Sequence, residues 1–193
     1  MSARTHFGGR TLARSQALQL LFQAEATGRT VYEVLEGDYA LSEGPLDPFG
    51  EMLARGADDM RSDLDAVIEV TSSNWSISRM SSVDRNLLRL ALYEMLEVDE
   101  VAVAVTIDES VELAKAYGSD DSFRFINGLL GRVARRMDEG TDVVAAAREK
   151  LAARNAANQQ AAEDVEAQEA DEDAADVEDA ATESVTDDAE DGE

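Results

Sequence analysis

Few side chains in this 193-residue chain could carry chemistry, and the missing ones exclude whole classes of reaction. His6, the only histidine, stands in a short polar stretch ahead of Gly8 and Gly9, and there is no cysteine. Histidine-based triads, Cys–His pairs and imidazole or thiolate metal sites therefore have no candidates in the body of the chain. Gly8-Gly9-Arg10 lacks the spacing and the lysine of a phosphate-cradling loop. Glu109 and Glu112 share a helix face as di-iron carboxylates would, but without the accompanying histidines they read as a cap and a solvated face. No catalysis, metal or cofactor is expected.

What remains is positive charge inside an acidic chain. Residues 1–24 carry Arg4, Arg10 and Arg14 with no acid, and residues 122–137 carry Arg124, Arg132, Arg135 and Arg136 with none. On a helical projection Arg10 and Arg14 fall at the rim of an apolar face, and Phe125 points about 100° away from Ile126, between Arg132 and Arg136. A ring beside guanidinium groups suits an unstacked nucleic-acid base and its phosphates. The same residues also fit a peripheral core phenylalanine with arginines that snorkel or pair with carboxylates. Gly128 and Gly131 each cost on the order of 1 kcal/mol against alanine within a helix, so the close approach of another backbone is expected there.

The elements that position these residues read as helices throughout. From Arg10 to Glu25, helical spacing gathers Ala13, Ala17, Leu20, Leu21 and Ala24 on one face and sets Gln16, Gln19 and Gln23 opposite. Thr30 to Glu33 has capping-box spacing and opens a second helix that Gly37 ends. Asp47-Pro48 opens a long third helix running through Met52, Leu53, Met60 and Leu64 to Ile68, with Gly56 a weak point. Residues 72–78 form a turn carrying Trp75, and Ser81 caps a helix that is apolar most of the way round, hence central. Residues 101–107 alternate like a strand but have no partner strand, which makes them an extended connector. Thr106 to Glu109 is a second capping box, opening a helix that closes at Gly118. Ser119 caps the last strong helix, with Phe123, Ile126, Leu130, Val133 and Met137 as its core stripe, and residues 141–154 add a weaker, alanine-rich one.

The charge is distributed unevenly. Of 42 acids and 17 bases, net −25, residues 155–193 hold 16 acids and no base, leaving −9 on residues 1–154. With almost nothing apolar to bury, the ordering entropy of that tail is unopposed and it should be disordered. The chain thus divides into a flexible arm (1–9), a helical domain (10–137), a weak helical extension (138–154) and a disordered acidic tail (155–193). No apolar run approaches the roughly 20 residues of a membrane span, and the start lacks a hydrophobic signal region. A soluble, cytoplasmic, all-α protein is expected, with no membrane partner.

Three stretches resemble the NusB family of bacterial transcription antitermination factors. They are Arg10, Ala13, Arg14, Ala17, Leu18, Gln19, Leu21 and Phe22; then Asp84-Arg85 with Arg89, Tyr93 and Glu94; then Ile107-Asp108-Glu109 through Lys115 and Gly118, running on into Phe125-Ile126-Asn127-Gly128. They stand in the family's order and spacing. The resemblance implies two small packed helical bundles that bind single-stranded boxA-type RNA together with the ribosomal protein NusE. It implies a transcribing RNA polymerase complex as the further partner, helped to read through terminators, notably on ribosomal RNA operons. It places RNA contacts on Arg10, Arg14, Asp121, Arg124 and Phe125, and the partner-protein side at Asp84. Thr11 and Leu12 interrupt what is usually a denser arginine run, and Ala102 stands where the family often has proline. A rival reading keeps the fold but makes the chain a protein-binding module whose acidic surface docks a basic ribosomal protein without touching RNA.

Overall fold

Caps and apolar spacings of three and four residues recur along the chain. The computed structural model, which describes residues 7–72 and 76–162, is helical with no strand among those residues. Arg4, His6 and Trp75 lie outside the described residues. Helix α1 (Gly9–Thr27) buries Ala13, Ala17, Leu20, Leu21 and Ala24 and stops at Gly28, whose left-handed φ of 66° lets the Arg29 amide return to the Ala24 carbonyl. The capping box at Thr30 is present: its hydroxyl accepts from the Glu33 amide while the Glu33 carboxylate accepts from the Thr30 amide, starting α2 (Val31–Glu36).

The expected long third helix is two. Asp47 caps α3 (Pro48–Asp59), the chain turns at Met60, and α4 (Arg61–Thr71) follows. The break lets α3 lie along α1 while α4 turns Leu64, Val67 and Ile68 into the interior toward α5 and α7. Gly56 does not interrupt α3, and a Cβ there would overlap the hydroxyl end of Tyr93, so glycine leaves room for that ring as it is placed. After a 3-10 turn (Ile77–Arg79), Ser81 accepts from the Asp84 amide at 3.0 Å and opens α5 (Ser82–Glu97). As its composition requires, α5 is central, packing against α1 and α3 on one side and α4, α6 and α7 on the other. Two small bundles share it.

The connector is a second correction. Helix α6 (Val103–Tyr117) already includes most of it, with Ala102 rather than Thr106 at its start. Thr106 is buried one turn in, and its spacing with Ser110, Leu113 and Ala114 marks the inward face. The apparent alternation is where buried Val101 meets the first exposed turn of a helix. Gly118 closes α6, its amide returning to Ala114 at 2.9 Å. Ser119 does not cap α7 (Ser122–Asp138) with its side chain; its amide donates to Ser122 Oγ, and Asp121 is the first flanking residue. In α7, Ile126, Leu129, Leu130 and Val133 are buried, whereas Phe123 and Met137 are only half-buried.

Residues 1–149 form one compact unit and those from Lys150 a second. A last helix, α8, spans residues 143–162, opened by Asp142, whose carboxylate accepts from the Val144 and Ala145 amides. In the first unit it buries Val143 and Ala147, and Arg148 grips Asp63 of α4 at 2.6 and 2.7 Å. Residues 155–162, expected to be disordered, are helical; the rest of the acidic tail, 163–193, lies outside the described residues. Among the described residues no helix is long and apolar enough to cross a membrane.

Gln16, Gln19 and Gln23 do not form a solvated face. Each amide side chain grips the backbone of the segment joining α2 to α3, donating to carbonyls or hydroxyls and accepting from an amide of Asp47, Ser42 or Ala40. Gln16 is completely buried. The segment is thereby pinned to α1 at three successive rungs.

Candidate nucleic-acid interface

The opening turn of α5 meets the α6–α7 junction because Ser81 caps one helix there and Gly118 turns the chain sharply before the other. Between them lies a cavity of about 430 Å³ walled by Asp84, Asp121, Arg124 and Phe125, with Met80 and Ser81 beside them. Four of the six residues assigned to partners on sequence grounds thus come together. Asp121 and Arg124 form an exposed ion pair at 2.8 Å. The Arg124 guanidinium lies 4.9 Å from the centroid of Phe123, with the Lys115 ammonium 6.0 Å from the same ring. Phe125 is half-buried and faces the cavity rather than being sealed in the core. Asp84 is the unusual member: its Oδ1 is buried with no hydrogen-bond partner among the described residues.

Farther along α7, Arg132, Arg135 and Arg136 make no ion pair with any described residue, although residues 1–154 carry an excess of acids. Gly128 and Gly131 lie beside them with nothing within 4 Å of where a Cβ would stand. The close backbone approach expected at these glycines is therefore not made among the described residues.

The α1 patch does not join the cavity. Arg14 is 3% exposed, and its guanidinium is held in a fork by Glu94 of α5, at 2.9 and 2.6 Å, with Glu109 of α6 at 3.3 Å. A side chain so committed cannot hold a phosphate; it fastens α1 to the central helix. This corrects the assignment of Arg14 to RNA. Arg10 stays exposed, 3.8 Å from Glu100 and 4.8 Å above the Phe49 ring. Sequence reasoning missed Glu94, though an acid in a helix apolar nearly all round already called for a buried cation. It also missed an apolar groove of about 360 Å³ between α1 and the end of α6, formed by Leu18, Phe22, Val83 and Tyr117.

A second, part-buried network ties α1 to α4 and α5. Arg85 and Arg89 both pair with Glu25, and Arg89 also holds Asp65 at 2.6 and 2.8 Å. Burial opposes the charge on Glu25, but hydrogen bonds from Arg85 and Arg89 outweigh it and bring the carboxyl from its ordinary 4.5 down to about 2.

The model of the NusB family matches residues 11–135, which run from α1 to the last turn of α7. The chain belongs to the NusB family. The transcription antitermination protein NusB of Desulfitobacterium hafniense (strain DSM 10664 / DCB-2) is 43% identical over 135 residues, 67% of this chain and 90% of that protein. That of Bacillus subtilis (strain 168) is 38% identical over 130 residues, 67% of this chain and 98% of its own. Among solved structures, T. maritima NusB superposes with a TM-score of 0.58 at 35% identity, covering 67% of this chain and 93% of that one. A structure of antitermination factors NusB and NusE in complex with dsRNA superposes at 0.55 with 25% identity, covering 65% and 96%. Transcription antitermination is therefore the function class of this NusB-family chain. The shared span holds the cavity, the Arg14–Glu94 clamp and Arg132, Arg135 and Arg136 of α7, and it ends before α8.

Proposed function

We propose that the chain is a non-catalytic cytoplasmic adaptor that binds single-stranded boxA-type RNA together with the ribosomal protein NusE. Bound so, it promotes read-through by the transcribing RNA polymerase complex, notably on ribosomal RNA operons. The observation that carries this is the convergence of Asp84, Asp121, Arg124 and Phe125 on one cavity, continued along α7 by three arginines that pair with no carboxylate of the described residues. A relative solved with NusE and dsRNA supports NusE and RNA as the classes of partner. Phosphates lie along Arg124, Arg132 and Arg135, one base rests against Phe125, and Arg10 adds a more distant contact. NusE docks on the Asp84 side.

Binding of a boxA-type RNA, measured with and without NusE across salt, tests the proposal. If about four phosphates are held, the log–log salt slope is near −3, at roughly 0.7 per contact for single strands. Phe125→Ala weakens binding by about 1 to 3 kcal/mol and leaves the melting temperature in place. NusE binding with no RNA bound at any salt would favour the protein-only module.

A further inference from the structure

Resting on that RNA-binding reading, we infer that the acidic tail is an internal competitor: residues 163–193 dock on the outward face of α7 and hold its arginines until RNA displaces them. The face is formed by Arg132, Arg135 and Arg136, which project within an arc of about 100° on the helix. None of the three pairs with a carboxylate of the described residues. Other arginines are answered, Arg61 by Asp58, Arg124 by Asp121 and Arg148 by Asp63. Gly128 and Gly131 keep the strip back to Arg124 free of side chains, with nothing within 4 Å of where a Cβ would stand, so an incoming chain can lie close to the helix.

Charge and reach identify the occupant. Residues 163–193 carry 16 acids and no base, about every second position, so no particular register is needed to bring a carboxylate to each guanidinium. The 31 residues beyond the end of α8 at 162 can extend to roughly 100 Å, against a radius of gyration near 15 Å for a domain the size of residues 1–149. One exposed ion pair is weak, but here three cations and a tether act together. A tethered segment has an effective concentration on the order of 1 mM, and contacts made by charge alone dissociate at about 0.1 mM, so RNA that needs these arginines should bind roughly 10-fold more weakly than it would without the charge of the tail.

A phosphodiester and a carboxylate ask the same of a guanidinium, a pair of oxygens that accept from its fork, so the two ligands exclude each other. General repulsion between an acidic segment and RNA would also weaken binding, but it acts through the field of the whole chain and is indifferent to which arginines are present. Docking is local and needs Arg132 and Arg135.

Two measurements on the full chain test this. Because the chain has no cysteine, Ala175→Cys gives a single site for a nitroxide label. At low salt the label should broaden the amide resonances of Gly128 and Gly131 well beyond those of Gly50 and Gly56 in α3. The broadening should vanish in Arg132→Gln/Arg135→Gln, and at about 1 M salt, where the screening length is about 3 Å. In the second measurement all 16 acids of residues 163–193 are neutralised, Asp→Asn and Glu→Gln, and binding of a boxA-type RNA is followed with NusE present. Neutralisation should tighten binding by roughly 10-fold in the otherwise unaltered chain, and by about 2-fold or less in Arg132→Gln/Arg135→Gln. Broadening that is absent or spread evenly over residues 7–149 overturns the inference. So does an equal gain in both backgrounds, which would leave the tail acting by repulsion alone, and so does a neutralised tail that changes nothing. If the label marks α7 but no RNA binds with or without NusE, the docked tail stands and the RNA-binding reading falls.

Discussion

Replacing Arg14 with alanine would leave the Glu94 carboxylate buried in the central helix with no cation, a change that costs about 3 to 5 kcal/mol. Denaturant unfolding should show that loss, while the affinity of the remaining folded protein for RNA stays unchanged; the reverse pattern would return Arg14 to the RNA surface. Glu25 makes the second prediction at this scale. Its carboxyl titrates at about 2 when folded against an ordinary 4.5, so the folded state releases the proton more readily than the unfolded chain. The stabilisation is complete above pH 4.5 and is lost as the pH falls from 4.5 toward 2. Glu25→Gln should flatten the melting temperature across that window. That Arg124 and Phe125 fall on the outward side of α7 was legible in the sequence, because helical phase sets both well away from Ile126. Arg14 was not: helical phase puts a residue at a rim, but whether the rim faces water depends on which helix lies opposite, and a single sequence does not state that.

At the scale of elements, the glycines separate two roles that composition cannot distinguish. Gly56→Ala would drive a methyl group into the Tyr93 ring and cost about 1 to 3 kcal/mol. Gly128→Ala, with open space around it, should stabilise α7 by about 0.5 to 1 kcal/mol. Thermal melts of the two variants should therefore move in opposite directions. If Gly128→Ala also weakens RNA binding, the open space belongs to the ligand. Starts and stops with side-chain partners, at Thr30, Asp47 and Ser81, could be read directly, since a cap is a local bond between residues a turn apart. The break at Met60 and the early start of α6 have no such local signature. Packing decides them: α4 must turn toward α5 and α7, and Thr106 must face inward. The glutamines of α1 misled for the same reason, because a polar side chain that satisfies a neighbouring loop's backbone has the same periodicity as one that faces water.

Across the whole molecule, the all-helical class and the family were legible because both rest on patterns spread over more than a hundred positions, which a few misplaced ends do not disturb. Electrostatic balance was legible only in part. The excess of acids is plain, but which cations are spent internally emerged only from the folded arrangement. Arg14, Arg85 and Arg89 are held by carboxylates of neighbouring helices, whereas Arg132, Arg135 and Arg136 pair with none among the described residues. The position of α5 has one more consequence. Because that helix is the common wall of both bundles, unfolding either half strips α5 of one of its packed sides, and the two halves should melt together. Calorimetry on residues 1–149 should give one heat-absorption peak whose van't Hoff and measured enthalpies agree; two peaks would mean that each half keeps a core of its own.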